Sequence, residues 1–211
     1  MSARTTAPLL PEQADRQSAR RALRSDRLAA RAALTAEEHA QRSQQLESHL
    51  AGFLAAHWDS VQVIGFYWPY RAEFDVRPLM TRLFERQEGR CFCLPVVIAP
   101  GQPLRYRAWQ PQCALQCDRH GIATPVNGAW HTPDLLLIPV NAFDDQGYRL
   151  GYGAGYFDRT LACLHPAPRT LGIGFELAHV ASILPEAHDQ PLDAVITECG
   201  TTHYSGRFTT I

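Results

Sequence analysis

From about Glu12 to Ala33 the chain is rich in Ala, Leu, Arg and Gln, all good helix formers. Arg20, Arg24, Arg27 and Arg31 fall at i, i+4, i+7 and i+11, so they line one face of that helix. Thr35-Ala-Glu-Glu38 is a capping box, and it predicts a second helix running to about His57. Val61–Tyr67 reads as a buried strand and Trp68–Phe74 as a loop. Asp75 is placed as the cap of a helix reaching about Gln87, with Pro78 tolerated in its first turn. Cys91–Val97 and Leu104–Trp109 are further strands, and Asp134–Val140 is apolar enough for the sheet centre. A polar, glycine-rich loop follows from Asn141 to Gly155, then a helix from about Tyr156 to Leu164. Thr170–Phe175 and Asp193–Thr197 close the pattern. Strands alternating with helices predict an α/β fold, with a mainly parallel sheet covered by helices on both faces and preceded by two N-terminal helices. Residues 1–11 are expected to be a flexible N-terminus and residues 12–211 a single domain.

Composition narrows the chemistry. The chain has 211 residues, 45% hydrophobic and 19% charged, which suits a soluble globule. All 20 of its Lys+Arg residues are arginine, so there is no lysine. A Walker-type phosphate-binding lysine, a Schiff base and a pyridoxal-phosphate anchor are thereby excluded. Any phosphate must be held by arginine, backbone amides, hydroxyls or metal. No stretch is long and apolar enough for a membrane span, and the N-terminus lacks the apolar core of a signal peptide. The expected location is the cytoplasm, with six reduced cysteines whose spacing is not that of zinc sites. The net charge is −1, but residues 1–31 hold seven arginines against Glu12, Asp15 and Asp26. Taken alone, that arginine stripe reads as a solvated helix face. A nucleic-acid-binding module built on it is an alternative, disfavoured by the acidic remainder and the absence of interleaved aromatics.

The densest local signal is Arg149-Leu-Gly-Tyr-Gly-Ala-Gly-Tyr-Phe-Asp-Arg159. Gly151, Gly153 and Gly155 alternate just before a helix whose free amides and dipole suit an anion. Arg149 adds a cation, and Asp158 in the first helical turn could ligate magnesium. A plain surface turn would read the same way. The spacing is not that of dinucleotide-binding loops.

Extended back to Asn141, this segment closely resembles the signature of the 5-formyltetrahydrofolate cyclo-ligase family. Other matches follow in order: Arg20-Arg-Ala-Leu-Arg24, Gly65-Phe-Tyr-Trp-Pro with Glu73 beyond it, Leu94-Pro-Val, His120-Gly-Ile-Ala-Thr-Pro125 and Pro191-Leu-Asp-Ala-Val-Ile-Thr-Glu198. The resemblance implies ATP- and Mg²⁺-dependent closure of 5-formyltetrahydrofolate to 5,10-methenyltetrahydrofolate. It implies a three-layer α/β/α sandwich resembling the ribose-5-phosphate isomerase and CoA-transferase group, acting on reduced folate and ATP; a monomer is expected. By matching position, ATP would be held by Arg20, Arg24, Arg149, Leu150, Gly151, Tyr152, Gly153, Ala154, Gly155, Tyr156 and Phe157. Folate would meet Trp68, Glu73, Tyr152, Gly153, Ala154, Gly155 and Tyr156. Asp158 and Asp193 would serve magnesium, and Arg149, Tyr156 and Asp158 would be catalytic. Arg20 stands where the family often has lysine, and Ala154 where members carry glycine or lysine. A paralogue with the same ATP site and another amide-containing substrate is the nearest alternative.

Overall fold

The expected capping box forms and separates the two N-terminal helices. The structure, a computed structural model, describes residues 11–86 and 89–208, so the flexible segment expected at 1–11 lies almost wholly outside the described residues. α1 spans Pro11–Ala32 and α2 spans Ala36–His57. Thr35 Oγ1 accepts the Glu38 amide at 3.2 Å, and Glu38 Oε2 accepts the Thr35 amide at 2.8 Å. Two otherwise orphaned amides are satisfied there. Leu46, Leu50, Phe53 and Leu54 form the buried stripe of α2.

The elements that follow are β1 (Val63–Gly65), α3 (Arg77–Glu85), β2 (Cys91–Val96), β3 (Arg105–Trp109), β4 (Leu115–Cys117), β5 (Ala123–Pro125), β6 (Trp130–His131), β7 (Leu135–Pro139), β8 (Ala142–Phe143), β9 (Arg149–Leu150), α4 (Tyr156–Cys163), β10 (Arg169–Ile173), β11 (Ala194–Thr197) and β12 (Gly200–His203). Eight strands make the main sheet in the order β12-β11-β10-β7-β1-β2-β3-β6. The pairs β11–β10, β10–β7, β7–β1 and β1–β2 are parallel, and β12, β3 and β6 are antiparallel additions at the edges. β7 is central, and Leu135, Leu136, Leu137 and Ile138 are buried on both of its faces.

Three layers result. Leu46, Leu50 and Leu54 of α2, with Leu79, Met80 and Leu83 of α3, cover one face. Tyr156, Phe157 and Leu161 of α4 pack on the other, against Leu136, Ile138 and Val195. Leu23 of α1 packs on Ala142, Leu150 and Ile183, which ties the arginine helix to the β8–β9 hairpin. Among the described residues, no helix is long and apolar enough to cross a membrane.

Several local expectations are revised. β1 is shorter than the Val61–Tyr67 run because the chain leaves the sheet after Phe66, whose amide still donates to Cys93 O at 3.0 Å. Val76, not Asp75, caps α3; the Asp75 carboxylate instead accepts the Arg77 amide at 3.0 Å and pairs with its guanidinium at 2.6 Å. The stretch expected as loop from Asn141 to Gly155 contains the β8–β9 hairpin, whose two-residue strands are too short to show a period.

Candidate active site

The glycine loop has two positions that need glycine for different reasons. Gly153 has φ +97°, and a Cβ there would meet Arg24 Cζ at 3.4 Å. Gly155 has φ +64° and caps α4 without a side-chain hydrogen bond. Gly151 has open space around it, and Ala154 is not among the residues of positive φ, so its methyl group is unstrained. The first helical bond in α4 runs from Arg159 N–H to Gly155 O at 3.2 Å. The amides of Tyr156, Phe157 and Asp158 therefore have no acceptor within the helix, and they carry its positive dipole end.

Arginines surround this loop. Arg24 Nε donates to Gly151 O at 2.6 Å, and burial together with Arg20 and Arg21 lowers its pKa. Among the described residues Arg24 has no ion-pair partner, so positive charge is left under the loop. Arg149 is 4% exposed; it donates to Gln190 O at 2.6 Å and pairs with Asp158 Oδ1 at 3.0 Å. Burial lowers the Arg149 pKa, and Asp158 opposes that effect. Arg159 donates to Ala154 O and lies over the Tyr156 ring, 5.4 Å from its centroid. His120 in the β4–β5 turn reaches the Tyr156 hydroxyl at 3.5 Å. Arg20 is engaged elsewhere: its Nη1 and Nη2 meet Asp189 at 2.5 and 3.0 Å. Leu150 is buried, so only its backbone can serve a ligand, whereas Phe157 is partly buried against the core.

A second cluster adjoins the loop at the carboxyl ends of β1 and β7, where ligands of parallel sheets bind. Glu73 is 7% exposed, with Oε2 accepting the Tyr70 amide at 2.8 Å and Oε1 accepting the Tyr152 hydroxyl at 2.8 Å. Burial raises its pKa to about 7, while the charge of Arg31 works in the opposite direction. Tyr152 thus joins the glycine loop to the loop after β1. Trp68 lies on that same loop, but Arg77 covers its ring at 4.4 Å.

The two expected metal residues are placed differently. Asp158 Oδ1 accepts from Arg149 and from the Gln190 amide at 3.2 Å; among the described residues no hydrogen bond engages Oδ2. Asp193 stands at the amino end of β11, 7% exposed. Its carboxylate accepts the Thr170 amide (2.8 Å), Thr170 Oγ1 (3.0 Å), Ser205 Oγ (2.6 Å) and Arg207 Nη1 (3.2 Å). It shares none of these partners with Asp158, and its oxygens are already occupied by donors.

The family model of the 5-formyltetrahydrofolate cyclo-ligase family matches residues 16–198. The chain belongs to this family. The 5-formyltetrahydrofolate cyclo-ligase of Escherichia coli K12 is 29% identical over 178 residues, covering 79% of this chain and 93% of that protein. The Haemophilus influenzae cyclo-ligase is 25% identical over 189 residues, covering 82% and 94%. The solution structure of Aquifex aeolicus 5,10-methenyltetrahydrofolate synthetase is 27% identical, with a TM-score of 0.74 over 91% of this chain and 96% of that one.

In this cyclo-ligase family member the arginine stripe does not form the solvated face expected of it. Arg27 donates to Leu177 O at 2.9 Å, and Arg31 is 6% exposed, so the stripe faces inward rather than into solvent. Arg31 and Asn141 carry site contacts and Asp189 holds Arg20, roles to which residue type and spacing alone do not point. The shared i, i+4, i+7, i+11 register of Arg20 and Arg31 was the available signal, since two arginines on one face tend to meet the same surface.

Proposed function

We propose that this enzyme converts 5-formyltetrahydrofolate and ATP to 5,10-methenyltetrahydrofolate, ADP and phosphate. One observation carries the reading. The family match spans both the arginine helix and the glycine loop, and these distant segments meet where Arg24 Nε lies 2.6 Å from Gly151 O. Arginine and free helix amides form an anion cradle without any lysine.

A formyl amide is a poor electrophile because nitrogen donates into its carbonyl. In the proposed reaction the formyl oxygen attacks the ATP γ-phosphorus and ADP leaves. N10 then attacks the activated carbon and loses its proton. The C–O bond breaks, phosphate departs, and the positive charge is shared across N5, carbon and N10. No protein nucleophile is needed, so catalysis rests on positioning and charge stabilisation. Arg24 and the amides after Gly155 would hold phosphate oxygens, with Arg149 fixed behind them by Asp158. The Tyr156 hydroxyl faces His120, 3.5 Å away. Glu73 would accept from the donor edge of the pterin, and Tyr152 would border it.

Mg²⁺, when bound, would offset charge on the phosphate oxygens. Asp158 fits such a role because its Oδ2 is not engaged by a donor among the described residues, whereas Asp193 would have to release hydrogen bonds first. A monomeric, cytoplasmic enzyme acting on small molecules is the form proposed.

The test is near-ultraviolet absorbance of the methenyl product. The protein is mixed with 5-formyltetrahydrofolate and Mg²⁺, with and without ATP. An ATP-dependent rise is expected. Its absence, with ATP still bound, would point to a paralogue acting on another amide.

A further inference from the structure

We propose that Arg31 is a positioning residue of the folate subsite. Its guanidinium, seated between Asn141 and Tyr152, orients Tyr152 and supplies the positive charge that faces Glu73. The inference rests on reading Glu73 as a folate contact.

Each of the three guanidinium nitrogens makes a hydrogen bond. Arg31 Nε donates to Arg71 O at 3.2 Å, Nη1 to Asn141 Oδ1 at 3.0 Å and Nη2 to the Tyr152 hydroxyl at 2.9 Å. That hydroxyl accepts from Arg31, so its single proton is free for Glu73 Oε1 at 2.8 Å, with Tyr70 O at 3.2 Å as the other acceptor. Two hydrogen bonds therefore link α1 to the buried acid. Among the described residues no carboxylate lies within ion-pair distance of Arg31, although it is 6% exposed. A buried cation with only neutral direct partners is costly, and Glu73, one hydroxyl away, is the charge it can serve.

Asn141 supports the same assignment independently. Arginine can only donate, so Oδ1 must face it and Nδ2 must point away. Nδ2 is buried without a hydrogen-bond partner. The hydrogen bond the side chain makes is spent on fixing Arg31; an apolar residue would avoid the orphaned donor but release the guanidinium.

The groups facing Glu73 are Arg31 from α1, the Tyr152 hydroxyl from the glycine loop, the Tyr67 hydroxyl beyond β1 and the Tyr70 amide from its own loop. His39 of α2 meets that loop at Ala72 O, 3.1 Å away, and Arg71 lies over the Tyr70 ring. Burial drives Glu73 towards its neutral form, and the Arg31 charge opposes this. Removing Arg31 shifts ionisation of Glu73 to higher pH and leaves Tyr152 without its donor.

The experiment measures 5-formyltetrahydrofolate binding by calorimetry from about pH 5 to about 9, a range centred on the value near 7 to which burial raises Glu73. It uses the full chain without ATP and compares the parent with Arg31→Gln, Arg31→Lys, Tyr152→Phe and Glu73→Gln. Unfolding midpoints and ATP affinity are recorded alongside. Parent affinity is expected to rise with pH through about 7. Arg31→Gln should move that midpoint upward by about one unit and weaken binding at neutral pH about tenfold, with ATP affinity little changed. Arg31→Lys should restore the midpoint but only part of the affinity, because an ammonium lacks the planar fork. Tyr152→Phe removes the relay without removing a buried charge, and should shift the midpoint in the same direction by less. If Glu73→Gln abolishes the pH dependence but neither Arg31→Gln nor Tyr152→Phe moves the midpoint, the role of Arg31 is overturned. If Arg31→Gln does not fold, Tyr152→Phe and Arg31→Lys decide the matter on the same criterion. If Glu73→Gln binds folate with the parent's profile, the reading of Glu73 itself fails.

Discussion

Replacing Arg20 by lysine asks whether a lysine-free chain depends on the guanidinium fork. Arg20 reaches both oxygens of Asp189, at 2.5 and 3.0 Å, and also Leu184 O at 3.0 Å. The side chains are 11% and 3% exposed, so solvent screens the pair only partly. Burial alone would raise the Asp189 pKa, but the Arg20 hydrogen bonds and charge bring it below the usual carboxylate range. Lysine keeps the charge and cannot present two coplanar donors. A hydrogen bond to a charged group contributes about 1.5–3 kcal/mol, and an ammonium recovers part of that, so the expected net cost is about 1–2 kcal/mol. At roughly 2–4 °C per kcal/mol for a chain of this size, the unfolding midpoint should fall by about 2–8 °C. The assay is thermal unfolding by circular dichroism at neutral pH, repeated at decreasing pH. A depressed carboxylate stabilises above its unfolded pKa of about 3.9 and loses that contribution as pH falls through the folded value. The gap between parent and variant should therefore narrow below about pH 4. A variant that melts within about 1 °C of the parent at neutral pH would refute the reasoning and leave the missing lysine a matter of composition alone.

Other substitutions separate the remaining roles. Asp158→Asn should lower turnover by about tenfold or more at fixed Mg²⁺ while the circular dichroism spectrum is kept; near-normal turnover would remove Asp158 from the metal role. Asp193→Asn should instead cost about 2–4 kcal/mol of stability, because it breaks a buried network with Thr170, Ser205 and Arg207, and should leave the Mg²⁺ requirement unchanged. A raised Mg²⁺ requirement at an unchanged melting midpoint would return Asp193 to the metal. Gly153→Ala places a methyl group at φ +97° against Arg24 Cζ, a strain of about 1–2 kcal/mol, and should raise the ATP KM more than the folate KM. Equal effects on both substrates would mean that Gly153 borders the folate side as closely as the phosphate side.

Much of the architecture was legible because periodicity reports burial directly. β7 reads as Leu-Leu-Leu-Ile and is the central strand, and Thr35 with Glu38 marks a helix start through hydrogen bonds local to four residues. The glycine loop announced itself through composition, and its tolerance of Ala154 follows from a backbone that does not need positive φ there. The β8–β9 and β4–β5 hairpins were not legible, because strands of two or three residues carry no period and are stabilised by partners distant in sequence. The arginine stripe shows the same division. Helical spacing put Arg20, Arg24, Arg27 and Arg31 on one face, but could not tell whether that face meets water or protein.

The sequence by itself thus determined the α/β class, the glycine cradle at the start of α4, the exclusion of lysine chemistry and the family resemblance. These depend on residue identity and short-range spacing. Only the tertiary structure decided what each charge faces. Arg20 meets Asp189, 169 residues away; Arg31 meets Tyr152, 121 residues away; Asp193 is tied to Thr170 and Ser205. The physical reason is that a charged side chain's role is set by the partner and dielectric around it, and both are supplied by packing of segments far apart in the chain.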